Sequence, residues 1–296
     1  MKILVTGGAG FIGRNLAEHL LKNNEITIYD DLSNSTKEKL APLIKNGAKF
    51  IKGDILDFDL LSKVSQNMEL VIHLAAKSDV SESVIHPEIT SNVNLNGTIN
   101  VLKCCAQNKI KKIIFASSAA VYGDCKDLSI KEESKTEPLS PYGASKIAAE
   151  NEIKKYANEF GFDAIILRMF NVYGVGQNEL YSGVISVFLK NIAHNKPLII
   201  YGDGKQTRDF ISIYDIVEAF DCAIVVSGIK TYNIASGKSV SINKLAEILS
   251  ARKKIKIIYK GQKKGDIRNS VADVTLAEKE LGFYAKRSLQ DEFSKL

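Results

Sequence analysis

"KILVTGGAGFIG", residues 2–13, decides how the rest of the chain is read. A short apolar run over 2–6 has strand character and leads directly into glycines at 7, 10 and 13, which open a helical pattern over 11–23. In that arrangement Gly7 allows a tight turn, Gly10 lets backbone approach a pyrophosphate, and Gly13 lets the helix pack on the strand. The helix start adds unpaired N–H groups and a partial positive charge, both suited to phosphate. Three glycines alone describe a plain turn equally well. Their place between a strand and a helix, with a second strand "EITIYD" at 25–30, favours a dinucleotide-binding loop.

The acidic end of that second strand carries the next inference. Asp30 is placed to accept hydrogen bonds from the adenosine ribose hydroxyls, and a carboxylate there repels a 2′-phosphate, so NAD is expected over NADP. Asp30 and Asp31 taken singly read equally well as turn or cap residues. Arg14 reads as a surface helix residue rather than a phosphate ligand. Asp54 closes the third strand, where a carboxylate could bind the adenine amino group.

Outward from this unit, apolar runs at 48–53, 70–75, 112–117 and 163–169 alternate with helical patterns at 35–46, 57–66, 88–109 and 141–160. The runs are continuous in hydrophobicity, as strands buried on both faces are. The expected fold is α/β: a Rossmann-type doubly wound parallel sheet with a smaller α/β substrate-binding lobe. After about residue 170 the rhythm changes, with helices expected at 180–195, 214–227, 241–252 and 275–281 and short strands near 198–201, 210–213, 231–235 and 256–259. The division expected is a cofactor domain over 1–169, with about 207–235 returning to its sheet, and a substrate lobe over 170–206 and 236–296. "KDLSIKEESKTEPLSP", 126–141, reads as a polar loop closed by prolines.

Composition excludes several classes. The 296 residues are 45% apolar and 25% charged, which fits a folded globular chain of one large α/β domain or a domain with a smaller partner. A formal charge of +6, dispersed along the chain, does not point to nucleic acid. Cys104, Cys105, Cys125 and Cys222 lack CxxC spacing and read as free thiols, and His19, His73, His86 and His194 show no metal-ligand spacing. No metal is expected. No apolar run suits a signal peptide or a bilayer span, so no membrane partner and a soluble, cytoplasmic protein are expected.

Chemistry is suggested by two further stretches. "FASSAAVYG", 115–123, places hydroxyls at the end of a parallel strand, where they face the ligand crevice. In "SPYGASK", 140–146, Ser140 can cap a helix and Pro141 suits its first position. Tyr142 and Lys146 then share one helix face.

With "TGGAGFIG", "HLAA", "SSAAVYG", "SPYGASK", "RMFNVYG", "GDGKQTRDF" and "GDIRNSVAD", the sequence resembles the extended short-chain dehydrogenases/reductases along nearly its whole length. Within them it is similar to the NAD-dependent nucleotide-sugar epimerases of the UDP-glucose 4-epimerase type. The resemblance implies that Ser118 hydrogen-bonds the sugar and Tyr142 is the acid/base. Lys146 binds the nicotinamide ribose and lowers the tyrosine pKa, which needs nearby positive charge because a free phenol titrates near roughly 10. Tyr142 takes the 4-hydroxyl proton as hydride leaves carbon 4 for NAD, and hydride returns to the other face of the rotated ketone. The resemblance also assigns NAD contacts to Gly7, Gly10, Phe11, Ile12, Gly13, Asp30, Asp31, Asn34, Ser35, Asp54, Ile55, Leu74, Ala75, Ala76, Asn94, Ser117 and Phe170. It assigns the UDP-sugar to Ser78, Asn171, Val184, Ile199, Tyr201, Arg208, Lys263, Asp266 and Ser270. Arg208 suits a diphosphate because its planar donors can bind two oxygens.

Three departures refine the expectation. Lys263 stands where relatives often have Arg, so either it or Arg268 serves the diphosphate. Ala119 and Ala120 stand where dehydratases carry an Asp–Glu pair, and elimination needs that acid. Ser270 stands where glucose/galactose-restricted epimerases tend to have tyrosine, so UDP-GlcNAc and UDP-GalNAc are expected substrates beside UDP-glucose and UDP-galactose. The alternatives are a 4-reductase or uronate decarboxylase of the same group, and a non-catalytic NAD-sensing protein. The resemblance further implies a homodimer formed through the helices at 88–109 and 141–160.

Overall fold

Successive residues of the buried strands belong to different cores. The computed structural model describes the chain apart from residues 175, 178–182, 252, 254, 263–266 and 294–296. Its strands are β1 (Lys2–Thr6), β2 (Glu25–Asp30), β3 (Lys49–Lys52), β4 (Leu70–His73), β5 (Lys112–Ser118), β6 (Asp163–Met169), β7 (Asn171–Tyr173), β8 (Leu198–Tyr201), β9 (Thr207–Ser212), β10 (Ile229–Ile234), β11 (Ser239–Ser241) and β12 (Ile257–Lys260). The helices are α1 (Phe11–Leu20), α2 (Ala41–Lys45), α3 (Phe58–Val64), α4 (Val80–Ile85), α5 (Pro87–Ser91), α6 (Gly97–Gln107), α7 (Pro141–Phe160), α8 (Val184–Ala193), α9 (Ile213–Val225), α10 (Ile242–Ser250) and α11 (Leu289–Phe293).

Seven strands form one sheet in the order β10-β6-β5-β4-β1-β2-β3, every pair parallel. Ile3, Val5, Ile28, Ile72, Ile114 and Ile165 point to one face and pack with Leu16 of α1 and Phe220 of α9. Leu4, Tyr29, Val71, Ile113, Phe115 and Ile166 point to the other, against Leu102 of α6 and Ile153 of α7. The two-residue period of a strand thus feeds two covered faces, which is why its sequence is apolar without alternation. Each such side chain contributes roughly 1.5–3 kcal/mol on burial.

The chain runs outward from β1 to β3, then crosses back to β4 on the other side of β1. The crevice between the β1 and β4 ends is therefore the topological switch point, where doubly wound sheets bind ligands. Local chemistry sharpens the helix starts: Ser140 Oγ accepts from Gly143 N at 3.1 Å, with Pro141 in the first turn, and Gly161 ends α7 at φ 73°.

The second half departs from expectation in informative ways. β10 does return to the sheet beside β6, but β9 lies in a separate three-stranded sheet, β11-β9-β7. Neighbouring residues explain this: Ile211 packs in the first core, while Phe210 packs in a third core with Tyr173, Ile185, Phe188 and Leu198. β9 thus links the two regions. The helix expected over 88–109 is α5 and α6 joined by a π-helical turn, Asn92–Asn96. Just past that turn, Thr98 Oγ1 of α6 donates back to Asn94 O within it at 2.6 Å. The expected helix at 35–46 is a 3₁₀ turn followed by α2. The loop at 126–141 is tied to the far end of the chain, with Ile130 N donating to Val271 O and Asp273 N to Ile130 O, at 2.9 and 2.8 Å. No described helix is long and apolar enough to cross a membrane.

Candidate active site

The glycine loop is built against the end of β4. Gly7 has φ +69°, and a Cβ there would lie 2.5 Å from Ala75 N. A Cβ on Gly13 would lie 2.5 Å from Gly8 Cα, so α1 packs on the turn as closely as backbone allows. Ala9 N donates to Asp30 Oδ2 at 3.0 Å and Leu32 N to Asp30 Oδ1 at 2.8 Å. Asp30 is therefore a turn residue and a loop brace at once, and each oxygen keeps a second lone pair for a ligand hydroxyl. Burial raises its carboxyl pKa, and the two backbone bonds pull it back. Arg14 is half-buried rather than a surface residue: it donates to Ala9 O, Ser35 Oγ and Gly176 O, because the loop carbonyls curl over its helix face.

A cleft of about 620 Å³ opens from this loop across the switch point. Gly7, Gly10, Phe11, Ile12, Gly13, Asp30, Asp31, Asn34 and Ser35 line its first end. Asp54, Ile55, Leu74, Ala75, Ala76 and Ser78 form the flank, and Ser117, Ser118, Tyr142, Lys146 and Phe170 the far side. Asn171, Arg208 and Ser270 border it there. A second cavity of about 440 Å³ shares Asn171 and Arg208 and is lined by Val184, Ile199 and Tyr201. Among the described residues, the expected site residues thus fall on two cavities that share part of their lining, with Asn94 the exception. Its amide is buried and committed to protein groups, accepting from Lys77 N and donating to Lys77 O and Ser145 Oγ. It shapes the cleft through Lys77, which does line it, with its Nζ 3.5 Å from Ser33 Oγ. Lys77 and Ser33 are cleft residues not expected from the sequence, although Lys77 directly follows "HLAA" and Ser33 directly precedes Asn34.

The proposed reacting groups sit where β5 meets α7. Lys146 Nζ donates to Ala116 O at 2.9 Å and lies 4.7 Å from the Phe115 ring centroid and 5.9 Å from that of Tyr142. Burial lowers its pKa to about 8, opposed by the charge of Glu150. Burial raises Tyr142, and a hydrogen bond with Ser118 works the other way. The lysine effect expected from sequence is not what dominates this phenol within the protein alone. His73 is fully buried between Thr6 Oγ1 and Thr98 Oγ1, and burial holds it neutral with a pKa of about 3. A Cβ on Gly143 would lie 2.5 Å from Ala120 O, so only glycine lets the Tyr142 turn sit this close to the β5 end.

On the opposite wall, Asn171 Nδ2 donates to Asp209 O at 2.9 Å, and Arg208 NH1 to Thr207 O and Ile267 O at 2.8 and 2.7 Å. Asp209 is buried and accepts from Ser236 N, Gly237 N and Ala272 N, which fixes the segment beside Ser270. Ala119 and Ala120 line the cleft without an acidic group. Arg268 is engaged in a two-toothed ion pair with Asp203. Lys263 and Asp266 lie outside the described residues.

The model of the NAD dependent epimerase/dehydratase family matches residues 3–235. A putative UDP-glucose 4-epimerase of Methanocaldococcus jannaschii is 39% identical over 282 residues, which cover 93% of this chain and 91% of that protein. The crystal structure of a UDP-glucose 4-epimerase with UDP-glucose from Thermotoga maritima is similar at a TM-score of 0.93 and 30% identity, covering 100% of this chain and 99% of its own. A UDP-N-acetylglucosamine 4-epimerase from Methanobrevibacter ruminantium, in complex with UDP-N-acetylmuramic acid, gives a TM-score of 0.92 at 36% identity, covering 99% and 94%. With its glycine loop, switch-point cleft and Tyr142–Lys146 helix, this chain belongs to the NAD-dependent epimerase/dehydratase family, on an extended short-chain dehydrogenase/reductase fold.

Proposed function

We propose that this protein interconverts UDP-glucose and UDP-galactose by NAD-dependent 4-epimerisation through a transient 4-keto sugar. The observation that carries the reading is one continuous cleft bordered by the glycine loop and Asp30 at one end and by Ser118, Tyr142 and Lys146 at the other. The cradle fits a dinucleotide: glycine at 7 and 13 lets the loop close against the β4 end and α1 pack on the turn, and Asp30 is held with lone pairs to spare.

NAD held there supplies the hydride acceptor and donor for carbon 4. The protein's part is to hold and to move a proton. The glycine-loop N–H groups and the α1 N-terminus would hold the pyrophosphate, and Asp30 would take the adenosine ribose hydroxyls. Lys146 would hold the nicotinamide ribose, and its charge favours the Tyr142 phenolate. Tyr142 removes the 4-hydroxyl proton and gives it back after the ketone has turned, with Ser118 orienting that oxygen. Arg208 and Asn171 hold the diphosphate, and Tyr201, Ile199 and Val184 wall the uracil. In this reading the substrate lobe is 170–206 with 236–296, completed by β9.

Ala119 and Ala120 disfavour a dehydratase, because elimination needs an acid at the leaving hydroxyl. The homodimer implied by the resemblance is supported by Val84, Ile85 and Ile89, which are 63%, 64% and 48% exposed on α4 and α5, beside α7. Four free cysteines suit a reducing, cytoplasmic setting.

The test is incubation of the purified protein with a panel of UDP- and dTDP-sugars, without added NAD, followed by product identification. The expected result is UDP-glucose/UDP-galactose interconversion with no net consumption of nicotinamide cofactor. Accumulation of a reduced, decarboxylated or dehydrated sugar would overturn the reading.

Ser270 is buried and borders the cleft, so its small side chain leaves room at the sugar end. The protein should therefore also turn over UDP-GlcNAc. Ser270→Tyr should cut kcat/KM for UDP-GlcNAc by about 10–100-fold, the scale of a steric pocket effect, with less change for UDP-glucose. No wild-type turnover of UDP-GlcNAc would remove the idea.

A further inference from the structure

Glu150 lies one turn beyond Lys146 on α7 and is fully buried. Its carboxylate accepts from Ser117 Oγ at 2.5 Å, from Arg168 Nε at 3.0 Å and from Arg168 NH2 at 2.7 Å. Arg168 is itself 4% exposed, and its remaining donors go to Tyr122 Oη and Glu132 O. This ion pair lies inside the core between α7, β5 and β6. A buried pair is a poor stability device, because apolar residues of similar volume often serve as well or better. Its position relative to the cleft supplies another reason for it.

Two links join Glu150 to the reacting groups. One is the i,i+4 spacing on α7, which puts Glu150 and Lys146 on one helix face. The other runs through β5: Ser117, which Glu150 holds, stands between Ala116, whose carbonyl receives Lys146 Nζ, and Ser118. We propose that Glu150, clamped by Arg168 and Ser117, is a positioning residue that keeps Lys146 charged and fixes the β5 end carrying Ser118. The inference rests on the proposed role of Lys146 in the reaction.

The charged and titratable groups around this lysine are few. Tyr142 and Glu150 face it from α7, and His73 faces it from β4 and is neutral. On Glu150 itself, Arg168 bears from β6 and Lys154, 4.0 Å away, from α7. Burial alone favours loss of the Lys146 proton, and Glu150 is the group that opposes it. Removing its charge lowers the lysine pKa further, so the charged fraction falls first at the alkaline end.

The test is the pH dependence of kcat and KM for UDP-glucose in wild type, Glu150→Gln and the paired variant Glu150→Gln/Arg168→Gln. The paired variant removes both charges and so avoids leaving Arg168 buried alone. In Glu150→Gln the alkaline limb of kcat should move down by about one pH unit, so kcat at pH 9 falls about tenfold while KM changes less than about threefold; the paired variant, which also removes the opposing Arg168 charge, should move the limb in the same direction by less. A limb that stays at its wild-type position in folded Glu150→Gln, or in the paired variant where the single one does not fold, would overturn the proposal. NAD⁺ affinity over the same pH range should show the same displaced limb and needs no sugar turnover. If wild type turned over no UDP-sugar, the proposed function would fail, and the role of Glu150 would be decided by that affinity profile.

Discussion

Tyr142→Phe should leave a folded, NAD-binding protein whose 4-epimerase turnover is about 10³-fold lower or worse. The phenolic oxygen is the only atom removed. Tyr142 is buried, 9% exposed, and the Phe ring fills the same space, so packing is preserved. What is lost is the proton acceptor and the hydrogen bond with Ser118. A positioned acid/base contributes about 10²–10⁴ in rate, and a 10³-fold loss corresponds to roughly 4 kcal/mol of barrier. Because the substitution spares Arg208, Asn171 and the second cavity, KM for UDP-glucose should change little, which is the pattern of an interaction made only in the transition state. A kcat within tenfold of wild type would remove Tyr142 from the proton transfer. Retained NAD in the variant separates this from a collapsed site.

The parts of the molecule legible in the sequence are those set by local spacing. Parallel strands such as "KILVT" announce themselves because both faces are covered, and α7 runs over the residues expected because Ser140, Pro141 and Gly161 mark its ends. The glycine loop, Asp30 and the Tyr142–Lys146 spacing are likewise contained in single stretches. Other features depend on partners distant in sequence. Arg14 has the pattern of a surface helix residue, yet it reaches Gly176 far along the chain. Asn94 matched a ligand position, but its amide is consumed by Lys77 and Ser145. β9 is expected in the main sheet but lies outside it, because a run such as "RDFIS" does not say which of two cores takes each side chain. Short elements such as β7 and β11 are fixed by tertiary pairing more than by their own pattern. The Glu150–Arg168 pair is also tertiary: "IAAENE" and "LRMF" hold ordinary surface-like charges until β6 brings Arg168 beneath α7.

Gly7→Ala should reduce NAD affinity by at least about 100-fold and destabilise the fold as well. Two separate costs meet at this residue. At φ +69° an L side chain costs roughly 1–2 kcal/mol. The new Cβ would also lie 2.5 Å from Ala75 N, 2.7 Å from Ala75 Cα and 2.8 Å from Leu74 C, all backbone atoms that no rotamer change can move. Relief requires the glycine loop and the β4 end to part, and forced expansion of this kind costs about 1–3 kcal/mol more. Those two segments are the facing walls of the cleft at the switch point, so the movement that relieves the clash also opens the cradle. Displacements near 1 Å in a positioned site can cost about 10²-fold. Gly161→Ala separates the two costs. That glycine has φ +73° but nothing within 4 Å of a Cβ, and it lies at the far end of α7. It should lose about 1–2 kcal/mol of stability through backbone strain, with NAD affinity unchanged. Calorimetric titration with NAD⁺ and denaturant melts of both variants make the comparison. Equal NAD affinity in Gly7→Ala and wild type would mean that the loop can yield without opening the cleft, and the glycine motif would then be a turn and no more.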